Sequence, residues 1–205
     1  MDNNRKVPFV TAVIPTYNSV GMLGLTVQTV REQSLKNIEI IVVDDASTDR
    51  TQDIMKQFCK LDKRIRYFRN TKRKGAGYSR NRGNMEARAK YIMVCDAGDL
   101  NVVERAKFQY RFMKKHPEVD CCYSIVMHIT ALEKHTDTQE ALLYKGEWGE
   151  KPSMSHPTAM YKRILALEMP YREDSINTDM FEDFFCRWGR AGKRFANLPA
   201  LPCGS

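Results

Sequence analysis

The chain has no apolar run approaching the ~20 residues that cross a bilayer, and no apolar signal core precedes its first strand-like segment. A cytosolic location is therefore the default expectation. None of its six cysteines (Cys59, Cys95, Cys121, Cys122, Cys186, Cys203) forms a C-x-x-C pair, so a zinc ribbon or a redox dithiol has no sequence support. Several of them sit inside apolar runs, where a free thiol behaves as a small core residue. No P-loop is present, and Gly75-Ala76-Gly77 matches the dinucleotide G-x-G-x-x-G neither in position nor in length. No Ser-His-Asp or Cys-His arrangement can be picked out. The net charge of +8 permits anionic partners. No helix-turn-helix, zinc-finger or RNP pattern accompanies that charge, so no nucleic-acid partner is expected.

What remains is a 205-residue chain, 42% hydrophobic and 28% charged, the balance of an ordinary soluble domain. One domain is expected over residues 1–205. Its first half alternates strand and helix signals. Phe9 to Ile14 is a short β-rich run stopped by Pro15, and Leu23 to Gln33 reads as a helix. Ile38 to Val43 is a nearly continuous β-branched run ending in Asp44-Asp45, as in a parallel strand buried on both faces. Ser47 or Thr48 is expected to cap a helix from Asp49 to Leu61. Ile65 to Phe68 is a third strand, a helix runs from the Gly75-Ala76-Gly77 loop through Ala89, and Tyr91 to Cys95 is a fourth strand ending at Asp96.

Four strands joined by three helices predict a Rossmann-like α/β sheet, since parallel neighbours need crossover connections. Ligands in such sheets bind beyond the carboxyl ends of the strands. Three polar clusters, Pro15-Thr16-Tyr17-Asn18, Asp44-Asp45 and Asp96-Ala97-Gly98-Asp99, fall at those ends. The second half is less regular. Val103 to Lys115 reads as a helix, Val119 to Thr130 as a long strand, Glu133 to Pro157 as loops or a short hairpin, and Ser175 to Arg190 as helical in its latter part.

Each cluster has a plain reading and a chemical one. Asp44-Asp45 can be a turn and cap, or a carboxylate accepting hydrogen bonds from a nucleobase or ribose. Asp96 and Asp99 can belong to an Asp-Gly turn, or supply hard oxygen ligands to Mg²⁺ or Mn²⁺ at a diphosphate. Glu182-Asp183 lies among Phe181, Phe184, Phe185 and Trp188, and a carboxylate held among rings is a better proton acceptor than one in water. His156 stands alone before Pro157, as structural histidines commonly do.

Taken together, the segments Val13-Ile14-Pro15-Thr16-Tyr17-Asn18, Val43-Asp44-Asp45-Ala46-Ser47-Thr48-Asp49, Gly77-Tyr78-Ser79-Arg80-Asn81-Arg82-Gly83, Tyr91 to Asp99, His156 to Tyr161 and Glu182-Asp183 resemble those of the family-2 glycosyltransferases. The similarity covers roughly residues 8 to 200, in the family's order. It implies the GT-A fold, with a mostly parallel central sheet flanked by helices. A nucleotide-binding half would span about 8–100 and an acceptor-side half about 101–205. It implies transfer of a sugar, with inversion, from a nucleotide-diphosphate sugar to an acceptor hydroxyl in surface polysaccharide or glycolipid synthesis. A UDP-sugar donor, a glycan or lipid-linked acceptor and peripheral contact at the inner face of a membrane follow as expectations.

By the same resemblance, Pro15, Thr16, Tyr17, Asp45, Arg80, Asp96 and Ala97 would bind the nucleotide, and Asp45 the base. Asp99 and Asp96 would hold a divalent cation, Mn²⁺ or Mg²⁺. Asp183 would be the general base, with His156 and Glu182 on the acceptor side. The sequence departs from the family at Gly98, which replaces the usual metal-binding aspartate, so coordination falls to Asp99, Asp96 or water. It departs again at Ser205, where relatives usually continue and where a histidine that often aids metal binding has no counterpart. A catalytically degenerate nucleotide-sugar-binding module is the alternative these departures suggest. A nucleotidyltransferase would need a glycine-rich loop with Arg after the first strand, and Pro15 to Asn18 supplies none.

Overall fold

A computed structural model describes residues 7–124, 142–144, 156–173 and 179–198, with the backbone alone at 142–144 and 179–182. The chain runs β1 (Val10–Thr16), α1 (Val20–Arg31), β2 (Ile38–Asp44), α2 (Thr51–Leu61), β3 (Ile65–Arg69), α3 (Ala76–Glu86) and β4 (Tyr91–Val94). It continues through α4 (Arg105–Lys115), β5 (Cys121–Tyr123), β6 (Leu142–Tyr144), β7 (Met160–Lys162), α5 (Arg163–Glu168), α6 (Asp179–Arg190) and β8 (Phe195–Asn197). Together the strands form one sheet in the order β3-β2-β1-β4-β7-β5-β8-β6.

The first four strands are parallel, as their β-branched runs predict. β1 and β2 are buried along all seven residues each, and pair from Val10↔Ile38 to Thr16↔Asp44. Alternate side chains go to opposite faces. Ala12, Ile14, Ile40 and Val42 pack with Leu23 and Val27 of α1 and Met113 of α4. Val13, Ile41 and Val43 face the layer that holds Leu165 of α5 and the Phe184-Phe185-Trp188 cluster of α6. Gly83 lets α3 lie directly on β1, for a Cβ there would fall well inside contact distance of the Val13 methyls.

Beyond β4 the sheet is mixed. β7 runs antiparallel to β4 and β5, β5 is parallel to β8, and β6 is antiparallel to β8. The expected strand from Val119 to Thr130 is only Cys121–Tyr123 where described. There Ser124 is gripped by Thr158, whose hydroxyl donates to its carbonyl (2.7 Å) and accepts from its N–H (3.1 Å). Residues 125–130, and most of the expected loops from Glu133 to Pro157, lie outside the described residues.

Two local expectations need correcting. The helix drawn through Ala89 stops at Glu86, because the amides past Ala87 are taken elsewhere: Arg88 N–H donates to the buried carboxylate of Glu39 and Ala89 N–H to the Thr11 hydroxyl. Neither Ser47 nor Thr48 caps α2. Asp49 does that work, accepting from Thr51 N–H at 3.0 Å, while its other oxygen takes Val20 N–H at the start of α1. The Ser47 hydroxyl instead accepts from Asn18 N–H, which fastens the loop after β2 to the loop after β1. Of the cysteines, Cys95, Cys121 and Cys122 are buried free thiols and Cys59 and Cys186 are partly exposed ones, while Cys203 lies outside the described residues.

Candidate active site

Parallel register brings the ends of β1, β2 and β4 to one edge. Pro15 and Thr16 close β1 beside Val43 and Asp44, and Cys95 N–H continues the ladder to Val13 just before Asp96. The two neighbouring aspartates at the end of β2 then separate by pleat. Asp44 is fully buried and builds the turn: Oδ1 accepts from Ser47 N–H at 2.8 Å and Oδ2 from the Tyr67 hydroxyl at 2.5 Å. Burial and that bond raise the Tyr67 phenol well above its ordinary range. The turn takes Ala46 into the left-handed region (φ 62°).

Asp45 points the other way, toward residues 70–75. Its carboxylate accepts from Asn70 Nδ2 (2.7 Å), Lys74 N–H (2.9 and 3.1 Å) and Gly75 N–H (2.7 Å). Two carboxylate oxygens offer about four acceptor positions, so a base edge meeting Asp45 would share it with this loop. Beside it, the Thr16 hydroxyl is buried and has no hydrogen-bond partner among the described residues. Tyr17 is half-buried at the strand's exit.

The acidic loop is a tight turn tied to two helices. Asp96 N–H donates to Asp99 Oδ2 and Asp99 N–H to the Asp96 carbonyl, both at 3.0 Å. Buried Arg80 on α3 donates to Asp96 Oδ1 at 2.5 Å. Gly98 has φ 117°, a conformation that side-chain-bearing residues rarely adopt, and its N–H donates to the Thr26 hydroxyl of α1. Asn101 N–H and the Val102 carbonyl are held in turn by Thr29 and Gln33, one helical face further along. Ala97 packs its methyl against the core. Burial, then the neighbouring charge of Asp96, raises the Asp99 carboxyl.

Two carboxylates fit a cation that draws its remaining ligands from phosphate and water, the habit of Mg²⁺, and do not fit an all-protein cage. Among the described residues no group of three or more His, Cys, Asp or Glu side chains could hold a metal.

In the half expected to face the acceptor, the rings turn away from the carboxylate. Phe184, Phe185 and Trp188 are buried, whereas Asp183 sits on the opposite side of α6 with Arg187 (2.8 Å) and Arg172 (3.4 Å). Guanidinium groups thus stand where the sequence predicts aromatic walls. The Glu182 side chain lies outside the described residues. His156 is buried against Tyr171 (Nε2 to hydroxyl, 2.9 Å), and burial, with Arg80 and Arg105 nearby, depresses its basicity far below the ordinary value. His156 is thus an imidazole packed in the core beside Tyr171.

Sequence reasoning passed over Arg105. Its buried guanidinium donates to Asn101 Oδ1 (2.5 Å) and to the carbonyls of Val94 (2.9 Å) and Ala159 (3.3 Å), bracing the acidic loop from beneath. The i, i+4 spacing of Asn101 and Arg105 was the one local signal for it.

Residues 11–187 match the description Glycosyl transferase family 2. The chain belongs to that family. A Bacillus subtilis relative, the putative teichuronic acid biosynthesis glycosyltransferase TuaG, is 32% identical over 143 residues, covering 67% of this chain and 56% of its own. The Staphylococcus aureus TarS fragment 1–349 in complex with UDP-GlcNAc superposes with a TM-score of 0.77 at 18% identity, over 96% of this chain and 59% of that one. The mannosyltransferase PcManGT from Pyrobaculum calidifontis, in complex with GDP-Man and Mn²⁺, gives 0.69 at 16% identity, over 97% and 59%. The glycosyltransferase fold is therefore GT-A. The chain spans less than two thirds of the length of the curated relatives it matches. No helix among the described residues is long and apolar enough to cross a membrane.

Proposed function

We propose that the protein is an inverting glycosyltransferase that moves a sugar from a UDP-sugar to an acceptor hydroxyl, on a glycan or lipid-linked carrier, in surface polysaccharide or glycolipid synthesis. The observation that carries this reading is the shared edge of β1, β2 and β4, where a buried hydroxyl without a partner among the described residues (Thr16), Asp45, Arg80 and the Asp96–Asp99 turn stand side by side. The teichuronic acid pathway in the name of the Bacillus relative and the UDP-GlcNAc held by TarS support it.

In this reading Pro15, Thr16 and Tyr17 line the nucleotide pocket, Asp45 accepts from the edge of the base, and Ala97 borders the ribose. Arg80 keeps Asp96 oriented. Asp96 and Asp99 are the residues that would hold Mn²⁺ or Mg²⁺, whose chemistry there would be to offset negative charge on the diphosphate. Asp183 accepts the proton of the acceptor hydroxyl as its oxygen bonds to the anomeric carbon from the face opposite the diphosphate. The bond from that carbon to the diphosphate oxygen breaks, and configuration inverts. Arg172 and Arg187 hold the carboxylate in place, while Glu182 and the His156 region border the acceptor.

The deciding variant is Asp183→Asn, which is expected to lower sugar transfer at least ~100-fold while stabilisation by UDP-GlcNAc in a thermal-shift assay stays as in the parent. Full transfer activity in the variant would take Asp183 out of the mechanism. A site at the cytoplasmic face of an anionic membrane belongs to the same reading and draws on the net charge of +8. Failure to co-sediment with phosphatidylserine vesicles even at low salt would remove that part. Gly98 favours a second reading, a nucleotide-sugar-binding module without turnover, and metal-stimulated release of UDP from the donor would eliminate it.

A further inference from the structure

Residues 71–75, Thr-Lys-Arg-Lys-Gly, are exposed along their whole length, yet the loop is pinned in place. Asp45 takes the N–H groups of both Lys74 and Gly75. The Arg73 guanidinium lies over the Tyr17 ring at 4.1 Å, and the Lys74 ammonium over the Tyr78 ring at 3.9 Å. Neither side chain makes a hydrogen bond or ion pair among the described residues. Their neighbours differ: Arg69 donates to the Ser47 carbonyl, Arg82 to Asn70 and the Arg69 carbonyl, and Arg80 to Asp96. Arg73 and Lys74 are thus ring-held cations at the edge whose donors are unused among the described residues, since a cation resting on a ring face keeps its N–H groups available.

Their location follows from strand order. β1 lies between β2 and β4, so Tyr17 stands between Asp45 and the Asp96–Asp99 turn. A nucleotide reaching from the one to the other passes the ring on which Arg73 rests. Its diphosphate would arrive beside two carboxylates, at a turn where Gly98 contributes no ligand and one oxygen of Asp96 already serves Arg80. Anionic oxygens there require compensating charge, and a guanidinium matches phosphate geometry with paired N–H donors.

We propose that Arg73 and Lys74 bind the diphosphate of the nucleotide donor, carrying part of the charge compensation otherwise left to the cation. The proposal rests on the nucleotide-sugar reading of the site and assigns two residues to it. It requires that nucleoside diphosphate binding survive metal removal.

Calorimetric titration of UDP, with uridine as the control, into the parent chain and into Arg73→Gln/Lys74→Gln tests it, in EDTA and in Mn²⁺. In EDTA the parent is expected to bind UDP, and the variant to bind it about tenfold or more weakly, the usual scale for lost charge-assisted hydrogen bonds. Uridine affinity is expected to be equal in the two proteins, and an unchanged melting temperature shows that the exposed substitutions leave the fold intact. Equal UDP affinity of the two proteins in EDTA would overturn the assignment. An equal loss for uridine would also overturn it, by giving the loop a base-side role instead. Absence of binding by UDP and GDP to the parent, with and without Mn²⁺, would sink the nucleotide-sugar reading itself.

Discussion

At the ends of β1 and β2 the loops are held by carboxylates that accept backbone N–H groups: Asp44 from Ser47, Asp45 from Lys74 and Gly75, Asp49 from Val20 and Thr51. Across β7 and β5 the restraint is of another kind. There a plate of rings does the holding, with Tyr171 stacked on Phe184 at 3.7 Å and Trp188 set edge-on to Tyr161 at 5.2 Å. Polar anchoring leaves an edge wet and fixed in outline, which suits a charged ligand. Ring packing gives bulk stability with few polar groups to present. The two flanks of one sheet are thereby held in different ways, one by polar clasps and one by ring packing.

The division can be broken most severely at Trp188, which is fully buried and donates its indole N–H to the Met169 carbonyl. Trp188→Ala is expected to cost about 4 kcal/mol in urea unfolding, while the fraction still folded binds UDP as the parent does. Weakened UDP binding at full folding would mean that the ring layer takes part in recognition.

Sequence legibility follows the same line. The parallel half was readable because β-branched runs, acids at strand ends and crossover helices are local signals, and the register of β1, β2 and β4 then follows. Residue pattern by itself does not tell Asp44 from Asp45, because the pleat alone decides which of two adjacent carboxylates turns inward. Asp183 misled for a related reason: adjacency in sequence to Phe184 and Phe185 suggested rings around it, but helical spacing gives it Arg187, and a distant segment adds Arg172. Arg105 reaches a carbonyl 54 residues away, a contact with no trace in local pattern. Gly98 looked like a lost ligand. Its φ of 117° shows a backbone requirement at the same position.

A second, smaller break lies at Gly83, on the polar-anchored flank. Gly83→Ala sets a methyl into Val13, a stiff β-branched residue in a central strand, and is expected to cost about 2 kcal/mol. Because α3 also carries Arg80, UDP affinity should fall together with stability, unlike the outcome at Trp188. A loss of stability with untouched UDP binding would show that α3 can shift without disturbing the edge.

The comparison is sharpened least invasively by pH. His156, inside the ring layer, has its pKa depressed by burial, so the unfolded chain takes up a proton below about 6.5 that the folded ring refuses. Its contribution to stability is full above pH 6.5 and is lost as pH falls below that value, by at most about 1.4 kcal/mol per pH unit. Urea midpoints between pH 7.5 and 5.5 should show the decline, and His156→Gln should flatten it. An identical decline in the variant would place the titrating group elsewhere.

The side-chain clasps on the loop amides have a consequence for exchange with solvent. The N–H groups of Asn18, Val20, Ser47, Thr51, Lys74 and Gly75 all lie outside the strands, yet each is donated to a side-chain oxygen. Deuterium should enter these loops nearly as slowly as it enters β1 and β2, because each amide must first leave its acceptor. An edge already set in this way asks little further ordering of itself when a ligand arrives, and so leaves more of the contact energy for affinity.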